Sequence, residues 1–557
     1  MGVAQPQPFL GADKQESASS WKLYAPGYSI LVVLATVAAA LLRLHGLNNR
    51  GLWLDETFSA DISHRSFFHL LQSFREISTN MALYHVLLHF WMKFGDSEYV
   101  LRSMSVLFSA ATVPFIYALG SRLFGRNVGL IAAWLLAINA FHIHYAQEAR
   151  AYALVVFLAT VSTYVLVRNL QEPASASWTL YGVLLPVMIG THILSLLIVV
   201  AHGAAILCLP PGTIPWKGLA RSAAWFVCLS LPMAVLDLMV KADPLNWVPK
   251  TDASVVLVYL VLTAGNRGTL LLVLDAIAIG LLIFVAGRAA WRHGRTRENW
   301  GYLLVLFWFF LPFVIALSVS VVRPMFVPRY LLFCMPAFLL AVSVGLTRIR
   351  PRSIAWTLGG AISLLGLAAI PPSSFGDWRQ VSSYVFEQAE PGDGISFYPD
   401  YAWIPFQYYK DHKKPTPDWP TPIAPIAGAL ASASPATGLS GNSHETQLPM
   451  RRFWIVFYHA APMTSEARKD LTANLTLWQS KGWRLTQAHE FPAVSVLLFV
   501  ATSPEVVPPA GLPNLLHPDA TPGGCRPLTR RNDFEFVFSE GWPSLLSKAT
   551  PESLLHQ

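Results

Sequence analysis

Hydrophobic residues are distributed along the chain in long blocks separated by short polar breaks. The apolar runs occupy residues 28–45, 100–120, 128–142, 151–169, 177–190, 192–209, 222–240, 269–288, 301–320, 329–347 and 354–370. A bilayer core of about 30 Å needs about 20 apolar residues in helical form. A chain in hydrocarbon must also satisfy its own backbone polar groups. Each run is therefore expected to be a membrane-crossing α-helix, about eleven in all, with 128–142 and 177–190 the shortest. Residues 81–94 are apolar but too short for a span and read as an amphipathic helix lying in the interface. The polar segment 1–27 precedes the first run with no small-residue cleavage site after that run, so the first run reads as a retained anchor.

Beyond residue 370 the pattern changes. Pro371 and Pro372 end the last run. Residues 381–390 and 465–481 read as helices, and 395–398, 453–458 and 494–500 as strands, with Pro391-Gly392-Asp393-Gly394 as a turn. The organisation expected is a cytoplasmic segment 1–27, a transmembrane domain 28–371 whose first outer loop is 46–99, and a small α/β domain 372–503. A Pro/Ala/Ser-rich insertion at 411–450 reads as mobile, and the Pro/Gly-rich tail 504–557 as disordered.

Composition sharpens this picture. The 557 residues are 54% hydrophobic and 13% charged, against roughly 25% charged for soluble domains, and the missing charge is missing in blocks. Net charge is +8. The Arg clusters sit at the ends of apolar runs, which points to anionic lipid and not to nucleic acid. With the N-terminus cytoplasmic, Arg122, Arg126, Arg168, Lys217, Arg221, Arg288, Arg292, Arg295, Arg297, Arg348, Arg350 and Arg352 all fall inside, as the positive-inside rule expects. The α/β domain is then extracytoplasmic. Arg102, Arg150, Lys241, Lys250, Arg267, Arg323 and Arg329 fall on the outer side against the bias. They are either snorkelling cations or binders of an anionic ligand. Cys208, Cys228, Cys334 and Cys525 show no metal or disulfide spacing.

Candidate chemistry clusters on that outer side. Asp55 and Glu56 follow the first span directly. A carboxylate there is either a helix cap or a general base for an acceptor hydroxyl. His142, His144, Tyr145, Gln147, Glu148, Arg150 and Tyr152 are compressed between two runs. They read as an interfacial ion pair with aromatic anchors, or as a second wall of the same cavity. His192 separates two further runs and can bind a metal, donate to phosphate or cap a helix. Arg323, Arg329 and Tyr330 place two guanidinium groups and a phenol at the outer end of the tenth run, and the guanidinium fork suits phosphate. The loop 241–268, with Trp247, reads as a cover. There is no P-loop, no GxGxxG opening a helix and no G-x-S-x-G elbow.

In this order the motifs resemble the bacterial family 39 glycosyltransferases, relatives of the protein O-mannosyltransferases and lipid A aminoarabinose transferases. The residues are Gly51-Leu52-Trp53-Leu54-Asp55-Glu56, Leu83-Tyr84, Leu87-Leu88-His89-Phe90-Trp91, Phe94-Gly95-Asp96-Ser97-Glu98, Leu101-Arg102, Leu123-Phe124-Gly125, Tyr145-Ala146-Gln147-Glu148-Ala149-Arg150-Ala151-Tyr152, Thr191-His192, Val327-Pro328-Arg329-Tyr330 and Asp377-Trp378-Arg379. The likeness covers roughly residues 28–410. It implies a GT-C fold in a bacterial inner membrane, a polyprenyl-phosphate sugar donor, and a lipid, glycan or protein acceptor.

By that resemblance Asp55 is the catalytic carboxylate, with Glu56 beside it and Glu148 a second functional acid. Arg102, Arg150, Arg329 and Tyr330 are expected at the donor phosphate, and Tyr84, His85, Gln147, Tyr152 and Trp247 at the substrate. His192 stands where some relatives hold a divalent cation; no other cofactor is implied. Relatives commonly carry an acidic residue or His followed by Pro-Pro before Leu-Tyr, where this chain has Asn80-Met81-Ala82. Two other readings share the spans and cations: a transporter of lipid-linked sugars, and an inactive lipid-binding relative. The absence of two related halves and the paired acids of the first loop favour the enzyme.

Overall fold

In the computed structural model the described residues are 26–76, 79–210, 212–240, 248, 251, 253–264, 268–293, 296–349, 351, 357, 377–390, 393–398, 402–412, 424–425, 451–458, 479–480 and 482–503. The chain divides into two compact units. One comprises residues 1–48 with 62–372, the other 49–61 with 373–557.

The first unit is helical. Its elements are α1 (Pro26–Leu44), α3 (Phe67–Glu76), α4 (Ala82–Trp91), α5 (Glu98–Phe124), α6 (Arg126–Ile138), α7 (Ala140–Ala146), α8 (Tyr152–Gln171), α9 (Trp178–Thr191), α10 (Leu196–Leu207), α11 (Trp216–Met239), α12 (Ala253–Ala264), α13 (Gly268–His293), α14 (Arg297–Ser320) and α15 (Met335–Arg348); α2 (Leu54–His64) straddles the boundary between units. Among the described residues six helices are long and apolar enough to cross a membrane, or seven if the bent pair α6–α7 is one span. Four shorter apolar helices accompany them. The chain is a multi-pass membrane protein. The eleventh predicted run, 354–370, lies almost wholly outside the described residues.

Local sequence explains where these helices begin and how closely they pack. Side chains of Ser97, Asn139, Ser177 and Thr296 accept from backbone N–H groups of the first turns of α5, α7, α9 and α14, satisfying donors that a helix start leaves unpaired. The hairpin between α5 and α6 turns at Gly125, at φ 95°, a conformation that costs glycine little. Beside it, a Cβ on Gly120 would lie 2.8 Å from Gly129 Cα, so the two backbones touch.

Two elements depart from the sequence expectation. The loop 241–268 contains α12, an apolar helix whose Tyr259 is buried, and the first outer loop contains α3. The residues of α12 form a run too short to read as a span, so composition alone left it a loop.

The second unit has a five-stranded mixed sheet in the order β2-β1-β3-β5-β4, made of β1 (Gly394–Tyr398), β2 (Ala424–Pro425), β3 (Arg452–Tyr458), β4 (Trp483–Phe491) and β5 (Val494–Ala501). β1 pairs parallel with β2 and β3, while β5 pairs antiparallel with β3 and β4. Helices α16 (Trp378–Gln388) and α17 (Trp403–His412) complete it. Alternation along β3 sends Trp454, Val456 and Tyr458 into one core with Trp378, Val385 and Phe406, and Phe453, Ile455 and Phe457 into another with Trp483 and Phe499. Both faces of β3 are buried, which is why it reads as an unbroken apolar run. β4 escaped the sequence reading because it is a largely exposed edge strand with polar residues throughout. The expected helix 465–481 and the segments 411–450 and 504–557 lie almost entirely outside the described residues.

A buried carboxylate locks the start of the sheet. Asp393 is 2% exposed. It accepts from Trp454 Nε1 at 2.8 Å and Glu390 N at 3.0 Å, and pairs with Arg452 Nε at 3.1 Å. Removing one partner of such a pair leaves the other desolvated and unmatched. Asp393→Ala is expected to destabilise this unit by about 3 kcal/mol, seen as earlier thermal unfolding and faster proteolysis within 451–503.

Candidate active site

In the first unit the site is built around an interrupted span. Helix α6 stops at Ile138, Asn139 caps α7 through its side chain, and the two axes differ by 57°. An interruption at membrane depth exposes carbonyls that water would otherwise meet. Here Arg43, fully buried at the end of α1, supplies the donors: Nη1 to Ala137 O at 2.8 Å, Nη2 to Leu136 O at 3.0 Å, and Nε to Ser109 Oγ at 2.5 Å. Its Nη2 also meets His142 Nδ1 at 3.0 Å. As Arg43 donates, that nitrogen of His142 must accept.

The residues after the break hold the adjoining segment in turn. Gln147 Nε2 donates to Arg43 O at 3.1 Å and His45 O at 2.9 Å, and Arg102 Nη1 donates to Leu47 O at 3.0 Å. Gln147 and Arg102, expected at substrate and phosphate, thus hold the backbone that follows α1.

Glu148 follows immediately and is fully buried. Its two carboxylate oxygens have no hydrogen-bond partner in the protein, and His144 Nε2 lies 3.3 Å from Oε1. A tight turn, Arg150 N to Glu148 O at 2.8 Å, brings Arg150 round to the start of α8. There a line of rings begins. Tyr145 meets Tyr152 at 5.0 Å between centroids, Tyr152 meets His192 at 6.1 Å, and His192 meets Tyr330 at 5.0 Å. Arg329 Cζ lies 5.7 Å from the Tyr330 ring.

His192 stands in extended backbone between α9 and the short 3-10 turn Ile193–Ser195. It is 1% exposed, neither ring nitrogen has a hydrogen-bond partner in the protein, and it feels the charges of both Arg150 and Arg329. His85 is buried too, stacked on Phe74 at 6.5 Å, and Tyr84 is buried beside it. Burial first, and then the charge of Arg150, pushes the His85 imidazole down to about 3, so it is neutral at physiological pH. The structure therefore gathers Tyr84, His85, Glu148, Arg150, Tyr152, His192, Arg329 and Tyr330 in one unit. Trp247 lies outside the described residues.

The Asn80-Met81-Ala82 departure has a visible use. Asn80 Oδ1 accepts from Ile193 N at 3.1 Å, tying this turn to the break beside His192. Thr79 next to it donates through N and Oγ1 to Asp237, at 2.8 and 2.5 Å. Met81, buried, adopts φ 66°, a left-handed conformation that is rare for a side chain of this kind.

The surroundings of His192 offer a divalent cation few ligands among the described residues. Around this one imidazole stand two phenol rings and two cations, and among the described residues no group of three or more His, Cys, Asp or Glu is placed to hold a metal. Orphaned imidazole nitrogens beside guanidinium groups suit an oxyanion or a sugar hydroxyl better.

Asp55 and Glu56 belong to the second unit, in the first turn of α2. Their environments differ. Glu56 is fully buried and its Oε2 accepts from Trp53 N at 3.3 Å, the back-bond of a capping box. Asp55 is half-buried, and its backbone O accepts from Ser59 Oγ at 2.9 Å. The capping role open to either acid falls to Glu56.

Comparison with known proteins agrees with this architecture. The family model for dolichyl-phosphate-mannose-protein mannosyltransferase matches residues 82–236. ArnT from Cupriavidus metallidurans, in the apo state, superposes with a TM-score of 0.54 at 14% identity, over 87% of this chain and 100% of that one. The fold is GT-C. The same protein bound to undecaprenyl phosphate gives a TM-score of 0.49 at 13% identity over 87% and 100% of the two chains. The oligosaccharyltransferase AglB from Archaeoglobus fulgidus, in complex with an inhibitory peptide and a dolichol-phosphate, gives 0.45 at 10% over 88% and 75%. No match was found among curated proteins.

Arg43, Ser109 and the structural use of Asn80 escaped the sequence reading. The signal for Arg43 was a single cation at the end of an apolar run, which is ordinarily a snorkelling residue.

Proposed function

We propose that this protein is an inverting glycosyltransferase that moves a sugar from a polyprenyl-phosphate carrier to an acceptor hydroxyl at the outer face of the membrane. The observation that carries this reading is the convergence of Arg150 and Arg329 on the buried, hydrogen-bond-poor His192 between Tyr152 and Tyr330. Two partly buried cations whose charges reach a buried imidazole are suited to a lipid phosphate, and preorganised charge contributes most where charge develops. The GT-C fold and the family match over residues 82–236 support the same chemistry.

In the reaction the acceptor oxygen attacks the anomeric carbon, and the bond from that carbon to the phosphate oxygen breaks with inversion. Polyprenyl phosphate departs with the electron pair, its charge met by Arg150 and Arg329. The resemblance of the first loop assigns the acceptor's proton to Asp55. Charge distribution supports the sidedness: Arg122, Arg126 and Arg168 lie at the end of α5 and α8 opposite Arg102 and Arg150, as expected if that end faces the cytoplasm. The acceptor class is a lipid, glycan or protein hydroxyl.

The test is release of free polyprenyl phosphate from a panel of undecaprenyl-phosphate hexoses and pentoses by the purified full-length protein. Acceptor-dependent release is expected. Arg150→Met and Arg329→Met should each weaken donor binding about 10- to 100-fold, the worth of a charge-assisted hydrogen bond. Donor binding without release would point instead to a carrier of lipid-linked sugars.

A further inference from the structure

We propose that the C-terminal domain is the mount of the catalytic carboxylate, with Tyr409 and Arg379 as the positioning residues that hold the loop bearing Asp55. The inference rests on the reading of Asp55 as the base. Residues 49–61 form one compact unit with 373–557, although the whole span-rich part of the chain lies between them in sequence. Four contacts among the described residues join the two pieces of that unit. Leu52 N donates to Tyr409 Oη at 2.5 Å, and Arg379 Nη2 donates to Arg50 O at 3.1 Å. Gly51 lies flat on the start of α16, where a Cβ would meet the Asp377 carboxylate and come within 2.8 Å of Arg379 N and Cβ. Leu54 packs on the core that contains Trp378, Phe406 and Trp454.

These contacts fall on Arg50, Gly51, Leu52 and Leu54, four of the five residues immediately before Asp55, and two of them grip backbone atoms. They constrain loop conformation, and hence where α2 begins and how it is rotated, independently of the loop's own side chains. Residues 51–53 carry no regular structure of their own, and Glu56 caps the start of α2 through Trp53 N. The mount itself is firm. Asp377 Oδ1 accepts from Arg379 N at 3.1 Å and Gln380 N at 3.2 Å, capping α16, and Trp378 is fully buried. The Asp377-Trp378-Arg379 motif thus gains a purpose: cap, core anchor and clamp in three successive residues. A base must sit within hydrogen-bond reach of the proton it takes, and misplacing a reacting group by about 1 Å can cost about 10²-fold in rate.

The experiment compares full-length Tyr409→Phe, Arg379→Met, Arg379→Lys and Gly51→Ala with Asp55→Asn. Undecaprenyl-phosphate sugars serve as donors, and hydrogen exchange is followed over residues 49–61. Tyr409→Phe and Arg379→Met are expected to lower kcat about 10- to 100-fold with donor KM unchanged, and to speed exchange in 49–61 while α5 and α8 stay protected. Gly51→Ala should do the same. Arg379→Lys retains a donor for the Arg50 carbonyl and should keep most of the rate. Wild-type kcat in the Tyr409→Phe/Arg379→Met double variant, with Asp55→Asn inactive, overturns the mount while leaving the base in place. Full activity of Asp55→Asn removes the base and the mount together. Loss of protection throughout the spans in Tyr409→Phe would also overturn the proposal, making the contact a general support.

Discussion

Asp55→Asn is expected to lower sugar transfer by about 10²–10⁴-fold, the range over which a positioned general base accelerates proton transfer, with donor affinity unchanged. The amide keeps the size of the side chain and its place in the first turn of α2 but cannot accept a proton from the acceptor. Its neighbour provides the contrast. Glu56 is fully buried and bonded to Trp53 N, so Glu56→Ala removes a cap worth about 1 kcal/mol and should act mainly on stability. Two adjacent acids of one motif are thus predicted to separate in the assay, one through turnover and one through melting temperature. Measuring both in one preparation checks the assignment. Full turnover by Asp55→Asn would move the base elsewhere.

Arg43→Leu should be the most damaging change far from any reacting atom. Leucine suits an apolar helix end, and a propensity argument alone would call the change mild. The structure argues otherwise. Arg43 satisfies the carbonyls of Leu136 and Ala137 at the α6–α7 interruption, where no further turn of helix can. Leaving two buried acceptors unmatched costs about 2–6 kcal/mol at 1–3 kcal/mol each. Among the described residues no carboxylate pairs with Arg43, so no opposing charge is stranded, and the penalty comes from the carbonyls, Ser109 and His142. Thermal unfolding in detergent, together with accessibility of a cysteine placed at 139, measures it. Arg43→Lys, with one donor centre for several acceptors, should recover only part of the loss.

How much of this was legible in the sequence depends on the range of the signal. Six of the apolar runs were, because about 20 apolar residues in a row have few other uses; so were β1, β3 and β5, whose apolar runs are buried. The kink within the run 128–142 was less so. The run was read as one helix, and the break at Asn139 depends on Arg43, 96 residues away. Likewise α12 was lost because 253–264 is too short to announce a span, and β4 because an exposed edge strand carries no alternation. At the site, the residues around His192 could be nominated one at a time from their motifs. Their convergence could not, since Tyr152, His192 and Tyr330 come from distant segments. Gln147 and Arg102 each hold backbone at or just after the end of α1, a use that their residue type does not announce.

The second unit is assembled from two pieces of chain, residues 49–61 and 373–557. During synthesis the first piece emerges early and its partner only after the spans between them have been made. At about 5–20 residues per second the interval is of the order of tens of seconds. Throughout that time Arg50, Gly51 and Leu52 have neither Arg379 nor Tyr409 to hold them, and their backbone groups must be kept by water or lipid headgroups. The enzyme proposed here is therefore timed by its own topology. Its spans can pack while its base is still unplaced, and the activity proposed above awaits the folding of the last part of the chain. A nascent chain stalled before residue 373 would be an inserted bundle without chemistry.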